Sequence, residues 1–176
     1  DYLYKQGFRD ADLVNVTPKG NSITNRFIRW QAFLDRTGGK GQYWDFSLTD
    51  GHLPFCELCD IMRHRIQSGA FDLNRLILTT TIAGATIFLR AAADLGLHAG
   101  KDYSLASING ERHAELNVPA ITSVDSAKSH PYFRNYLQWL ASGRPWEGAL
   151  FQEADDYRLI PGESIIRGKN NSPTNR

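Results

Sequence analysis

The densest group of metal-capable donors in this 176-residue chain is His52-x3-Cys56-x2-Cys59-x4-His64. On a helix the first three share a face and offer the nitrogen and sulfur donors that zinc takes in tetrahedral sites. His64 falls off that face, and one C-x-x-C without a second pair is a weak metal signal, so no metal site is expected. A thiol–disulfide site needs such a pair at a helix N-terminus directly after a strand, whereas this pair lies inside a helical pattern. Cys56 and Cys59 are therefore read as packing residues, small and readily buried. Gly38-Gly39-Lys40-Gly41 follows a helical pattern where a phosphate loop would precede one, which marks a helix stop and turn. No G-x-S-x-G elbow and no G-x-G-x-x-G after a strand occurs. The five histidines (His52, His64, His98, His113 and His130) have no sequence-local nucleophile and acid, although a triad assembled only in space leaves no such trace. No enzyme activity and no cofactor are expected. Asn15-Val-Thr17 and Asn170-Asn-Ser172 match glycosylation sequons and are read as chance, because nothing else supports a secretory context.

Binding chemistry is better represented. Ser22 and Arg26 are one helical turn apart and point the same way if 22–37 is a helix. Ser47, Thr49 and Asp50 follow one strand-like run, Thr79, Thr80 and Thr81 close another, and Asn109 closes a third. Hydroxyls, an amide, a carboxylate and a guanidinium suit a polyhydroxylated or carboxylate-bearing small molecule held by hydrogen bonds. Taken singly, each of these residues is as easily a helix cap or a solvated loop residue, so the grouping must come from the fold.

Runs rich in β-branched and aromatic residues at 11–17, 42–48, 75–81 and 103–108 read as strands recurring at the length of a βαβ unit. Helical patterns fill the gaps. In 22–37, Ile23, Phe27, Trp30 and Leu34 form one stripe, with Asn21 or Ser22 to cap and Gly38 to terminate. In 52–68, Pro54 suits a first turn and Phe55, Leu58, Met62 and Ile66 form the apolar face. The 82–95 helix is apolar nearly all round. Its second apolar side, Ile87, Phe88 and Ala91, predicts a symmetric dimer through this helix and the 52–68 helix. Alternating strands and helices predict a doubly wound, mostly parallel α/β sheet with helices on both faces. Ligands of such sheets bind beyond the carboxyl ends of the strands, and that is where the polar residues above converge. Further on, 119–124 reads as a short strand or hinge, 126–140 as an amphipathic helix, 156–167 as one or two terminal strands, and 169–176 as a disordered tail.

The composition agrees: 41% hydrophobic and 11% aromatic residues can fill a core, and 20 Lys+Arg against 19 Asp+Glu leaves a net charge of +1. That balance disfavours disordered, collagen-like and strongly nucleic-acid-binding classes. The longest apolar stretches are interrupted by threonines, Arg90 and Asp94 and fall short of the roughly 20 clean residues of a membrane span. A soluble, cytoplasmic protein is expected. The first residues, Asp1 to Gly7, read like the last turns of a helix, as in a fragment of a longer protein.

The ordered set Tyr2-Leu-Tyr-Lys-Gln-Gly-Phe8-Arg9, Asn21-Ser22, Arg26-Phe-Ile-Arg-Trp30, Ile82-Ala-Gly-Ala, Leu95-Gly-Leu97, Asp102-Tyr-Ser-Leu, Pro119-Ala-Ile-Thr-Ser-Val124 and Ile165-Ile-Arg167 resembles the effector-binding domain of LacI/GalR-type transcriptional regulators. The resemblance covers essentially the whole chain. It implies a periplasmic-binding-protein-like fold whose two lobes close on a sugar or related polar metabolite, a homodimer, and operator DNA bound through a helix-turn-helix domain absent from this chain. Residues 1–118 would belong to the C-terminal lobe, 119–145 to a hinge strand and helix of the N-terminal lobe, and 146–168 to return strands. Ser22 and Arg26 match the family's serine and effector-binding arginine, and Ser126 falls where a polar residue reaches the ligand from the hinge. Asp50, Thr81 and Asn109 complete the expected ligand set. Thr81 replaces the usual asparagine, Asn109 replaces a common aspartate, and Arg29 stands where glycine is usual, which predicts an effector less purely sugar-like than is common. A solute-binding protein of a transporter shares the fold and is the alternative reading.

Overall fold

Each β-branched run expected to be a strand is one. The computed structural model describes residues 2–18, 20–47, 54–126, 130–145 and 157–166. Its strands are β1 (Ala11–Asn15), β2 (Tyr43–Asp45), β3 (Leu76–Thr79), β4 (Ser104–Ile108), β5 (Thr122–Ser126) and β6 (Tyr157–Ile160). They form one sheet in the order β2-β1-β3-β4-β5-β6. Every pairing is parallel except β5 with β6, which is antiparallel. The chain leaves β1 toward β2 and then returns across β1 to β3, so its winding direction reverses between β1 and β3. Such a switch point opens a crevice at the carboxyl edge.

The crossovers set the layers. The helices are α1 (Tyr2–Lys5), α2 (Asn21–Thr37), α3 (Phe55–Gln67), α4 (Ile82–Ala93), α5 (Glu111–Glu115) and α6 (His130–Ala141). Leu13, Leu76 and Ala106 face Trp30 of α2 on one side of the sheet, where Phe27, Phe33 and Tyr2 pack against them. Val14, Ile77 and Leu105, the alternate strand positions, face Leu58 and Met62 of α3, Phe88 of α4 and Ala114 of α5 on the other. A row of aromatic rings, Trp44–Phe71–Phe88–Tyr103, runs through that second layer with centroids 4.7, 5.2 and 5.5 Å apart.

Three details depart from the sequence reading. Gly20, with no side-chain hydrogen bond, stands at the N-cap of α2 in place of Asn21 or Ser22. α5 leaves no trace in the sequence pattern, since five residues are too few to display a helical period. Most consequentially, the second apolar side of α4 is internal: Ile87, Phe88 and Ala91 are buried with the α3 residues Leu58, Met62 and Ile66. The all-round apolarity of α4 therefore reflects packing on both sheet and α3 and gives no ground for a dimer.

The glycine cluster does what a helix stop requires. Gly38 adopts φ 64° at the C-cap of α2. A Cβ on Gly41 would collide with the Ala11 carbonyl. This places the cluster at the amino edge, opposite the crevice. Residues 163–166 return to the sheet beside β4 and β5. Ser164, fully buried, donates from Oγ to Leu105 O at 2.6 Å and accepts from Thr122 N at 2.9 Å.

Candidate functional site

Asn15 is the hub of the carboxyl edge. A polar side chain at the end of a buried strand must find partners, and this one, 0% exposed, finds them on three strands. Its Oδ1 accepts from Thr80 Oγ1 at 2.7 Å and from Thr17 Oγ1 at 3.0 Å. Its Nδ2 donates to Thr17 O at 2.8 Å and to Asp45 Oδ1 at 3.1 Å. Asp45 Oδ1 also accepts from Ser47 Oγ at 2.6 Å and Ser47 N at 3.1 Å, which folds the end of β2 onto that of β1. Tyr43 on the same strand has its phenol pushed up to about 12 by burial first and then by the charge of Asp45.

Arg26 enters this network from above. It lies in the second turn of α2, half-buried, and its Nη1 donates to Thr80 O at 2.7 Å. The residue whose hydroxyl Asn15 holds is thus the residue whose carbonyl holds Arg26. Burial depresses the guanidinium pKa below its ordinary value, the sign of a cation that gives up water. One Nη1 proton goes to a neutral carbonyl, and the rest of the guanidinium fork has no partner among the described residues.

Next along the edge, Thr81 caps α4 by accepting from Gly84 N at 3.4 Å. Asn109 follows β4, two residues past Ser107, which is level with Thr79. Adjacent strands lie about 4.8 Å apart, so Thr81 and Asn109 are neighbours across one strand spacing. Asn109 has φ 58°, the one positive φ outside glycine among the described residues, and its N–H donates to Val124 O at 2.8 Å. Asparagine tolerates that conformation better than most residues, and its amide makes no hydrogen bond among the described residues.

Of the six residues expected at the ligand site, Arg26, Thr81 and Asn109 lie together on the β1–β3–β4 portion of the edge. Ser22 lies on the exposed first turn of α2 above them. Ser126 ends β5, two strand spacings from β3, and its side chain falls outside the described residues, as does all of Asp50. The sequence reading missed Asn15, Thr17, Tyr43 and Asp45. Asn15 carried a signal, a lone amide in an otherwise apolar run, and its burial leaves no room for a glycan at that sequon. Asn170 lies outside the described residues. In the C-x-x-C pair, Cys56 is exposed, while Cys59 is buried and its thiol is pushed up chiefly by that burial.

A separate cavity of about 190 Å³ lies under α1 on the α2 face of the sheet, lined by Tyr2, Leu3, Phe33, Ile108, Val124 and Leu159. Its apolar lining offers no charged group and suits side-chain packing better than a polar ligand.

No protein-family model matches the chain, and no curated protein matches it. Solved structures do. A lac repressor dimer bound to operator and an anti-inducer is 16% identical, with 94% of this chain and 55% of that chain covered and a TM-score of 0.70. A LacI-family transcriptional regulator from Mycobacterium smegmatis is 15% identical over 94% of this chain and 60% of its own, with a TM-score of 0.72. One from Burkhoderia phymatum is 21% identical over 94% and 58%, with a TM-score of 0.68. The chain thus has the periplasmic-binding-protein-like fold of LacI-type regulators and spans little more than half the length of these neighbours.

Proposed function

We propose that the chain is the effector-sensing part of a LacI-type transcriptional regulator, one that binds a small polar metabolite without chemical conversion and acts in the cytoplasm. The observation that carries this reading is Arg26, half-buried at the switch-point crevice and anchored on Thr80 O, with the rest of its guanidinium unpartnered among the described residues. Thr81, Asn109, Ser22, Asp50 and Ser126 complete the ligand-binding set. A second lobe closes over this edge. By this reading α6 belongs to that lobe, and its exposed side chains Leu137 and Leu140, 52% and 49% accessible, would be covered there, while 119–126 stays with this sheet through β5. Operator DNA is contacted by a helix-turn-helix domain outside these residues. Among the described residues, no helix is long and apolar enough to cross a membrane.

The test is a thermal-shift screen of sugars, sugar acids and other polar metabolites against the purified protein. At least one compound is expected to raise the melting temperature, with a response that saturates. A screen in which nothing stabilises the protein would contradict the sensor reading.

A homodimer remains part of the proposal on different residues from those the sequence pointed to. Leu116 and Val118, 78% and 91% exposed between α5 and β5, and Phe55 and Ile61 on α3, 52% and 37% exposed, are the large apolar groups left uncovered on the α3–α4–α5 layer among the described residues. Sedimentation at tens of micromolar is expected to show a dimer that Val118→Asp shifts toward monomer. A wild-type monomer at that concentration would refute the assignment.

A further inference from the structure

Of the two cysteines, Cys59 alone packs in the core. It is 8% exposed and lies in a cluster with Leu58, Met62 and Ile66, whereas Cys56 is exposed. The helix that carries them also starts later than the sequence pattern suggests. α3 begins at Phe55, so Cys56 is its second residue and Cys59 its fifth. The pair therefore lies in the first two turns of a helix, with an accessible thiol ahead of a buried one. That is the order in which an attacking and a resolving cysteine work.

The Cys59 thiol makes no hydrogen bond among the described residues and sits in the seam between α3 and α4. Burial chiefly pushes this thiol up, and Arg90 and Asp94 of α4, Asp60 and the Cys56 thiol are close enough to act on it as well. Residues three apart on an α-helix have Cα atoms about 5 Å apart, inside the disulfide range, while their Cβ atoms, about 5–6 Å apart, must close by roughly 1–2 Å. The start of α3 can supply that movement. Leu58, donating to Pro54 O at 3.1 Å, is the first α3 residue whose N–H finds a helical acceptor, so the Cys56 N–H is not held by the ladder. A disulfide closed at this cost is strained and exposed, which makes it easily reduced again.

We propose that Cys56 and Cys59 are a redox-active pair that forms a reversible internal disulfide by exchange with an oxidised low-molecular-weight thiol. Cys56, as thiolate, attacks one sulfur of the small disulfide. A mixed disulfide forms, and one small thiol leaves with the proton that Cys56 released. Cys59 then attacks the Cys56 sulfur, presented to it within one helical turn, and the second small thiol leaves with the Cys59 proton. Two protein thiols are oxidised and one small disulfide is reduced to two thiols. The pair is separate from the effector crevice on β1, β3 and β4, so either can fail without the other.

The chain has two cysteines, so intact mass resolves every state. The purified protein is incubated with glutathione disulfide, alkylated with N-ethylmaleimide in denaturant and weighed. The expected product has lost two hydrogens and carries neither maleimide nor glutathione. It runs as a single chain without reductant, melts cooperatively, and returns to the dithiol with dithiothreitol. Cys59→Ser, which cannot resolve, is expected to hold one glutathione, and Cys59→Ala repeats this if serine unsettles the core. Cys56→Ser is expected to react roughly tenfold more slowly than wild type or slower still, because its remaining thiol is buried. Wild type that holds glutathione without closing, links two chains through Cys56, or stays reduced under the same treatment overturns the pair. An oxidised form without a cooperative melt overturns it too, since the disulfide would then belong to the unfolded chain.

Discussion

Asn15→Asp is expected to destabilise the protein by about 2–4 kcal/mol at pH 7 while changing scarcely a cubic ångström of volume. The substitution turns Nδ2 from a donor into an anionic acceptor. That atom faces Thr17 O at 2.8 Å and Asp45 Oδ1 at 3.1 Å, so two hydrogen bonds become two repulsions at a fully buried position. For a chain of this size the loss corresponds to roughly 5–15 °C in melting temperature. Its pH dependence has a definite sign. Burial and Asp45 raise the pKa of the new carboxyl in the folded state, and a raised carboxyl is stabilising below its unfolded value, near 4, and loses that contribution as pH rises through the folded value. The variant therefore recovers toward wild type on acidification, before the native carboxylates themselves titrate. Denaturant melts at pH 7 and pH 4.5 check this, and the double variant Asn15→Asp with Asp45→Asn should regain at least 1 kcal/mol over the single one by restoring a donor. A single variant within 0.5 kcal/mol of wild type at pH 7 would mean that Asn15 does not tie the three strand ends together.

Arg26→Ala is expected to act on binding and to leave stability nearly alone. In the free protein Arg26 offers one hydrogen bond to Thr80 O and keeps a cation partly desolvated with no carboxylate partner among the described residues, two effects that roughly offset each other. In the complex the same side chain supplies charge-assisted hydrogen bonds, and losing them leaves the ligand's polar groups buried and unpaired. A ten- to thousandfold weakening, on the order of 1.5–4 kcal/mol, follows for the best compound from the screen. Calorimetric titration of wild type and variant measures it, with melting temperatures confirming that the variant is folded. Affinity unchanged within a factor of three would remove Arg26 from the site.

The two variants separate what the sequence makes legible from what it does not. Arg26 could be found because a helix carries its own geometry: four residues after Ser22, on a helix entered from a strand, a side chain must lie near the carboxyl edge whatever its partners are. Asn15 could not be given its role, because the groups that satisfy it sit two, 30 and 65 residues away along the chain and meet only once β2 and β3 have flanked β1. α4 was legible as a helix and misjudged as a surface for the same reason: apolarity on two sides says that both are covered, and only the packing of α3 says by what. Asn109 shows an intermediate case. Asn109-Gly110 is a turn signal in sequence, and the left-handed backbone at Asn109 fulfils it, while the proximity of that amide to Thr81 depends on the register of β4 against β3.

A small polar effector held at the carboxyl edge of β1, β3 and β4 should slow backbone exchange there, and difference hydrogen exchange with the most stabilising compound of the screen reads this out. Protection is expected at the backbone amides of 15–17, 79–85 and 109–110, where strand ends and the first turn of α4 close around the ligand, and it should vanish in Arg26→Ala at the same compound concentration. Protection confined to the apolar cavity under α1, around Leu3, Phe33 and Val124, with the carboxyl edge unchanged, would place the effector elsewhere and remove the carboxyl-edge site.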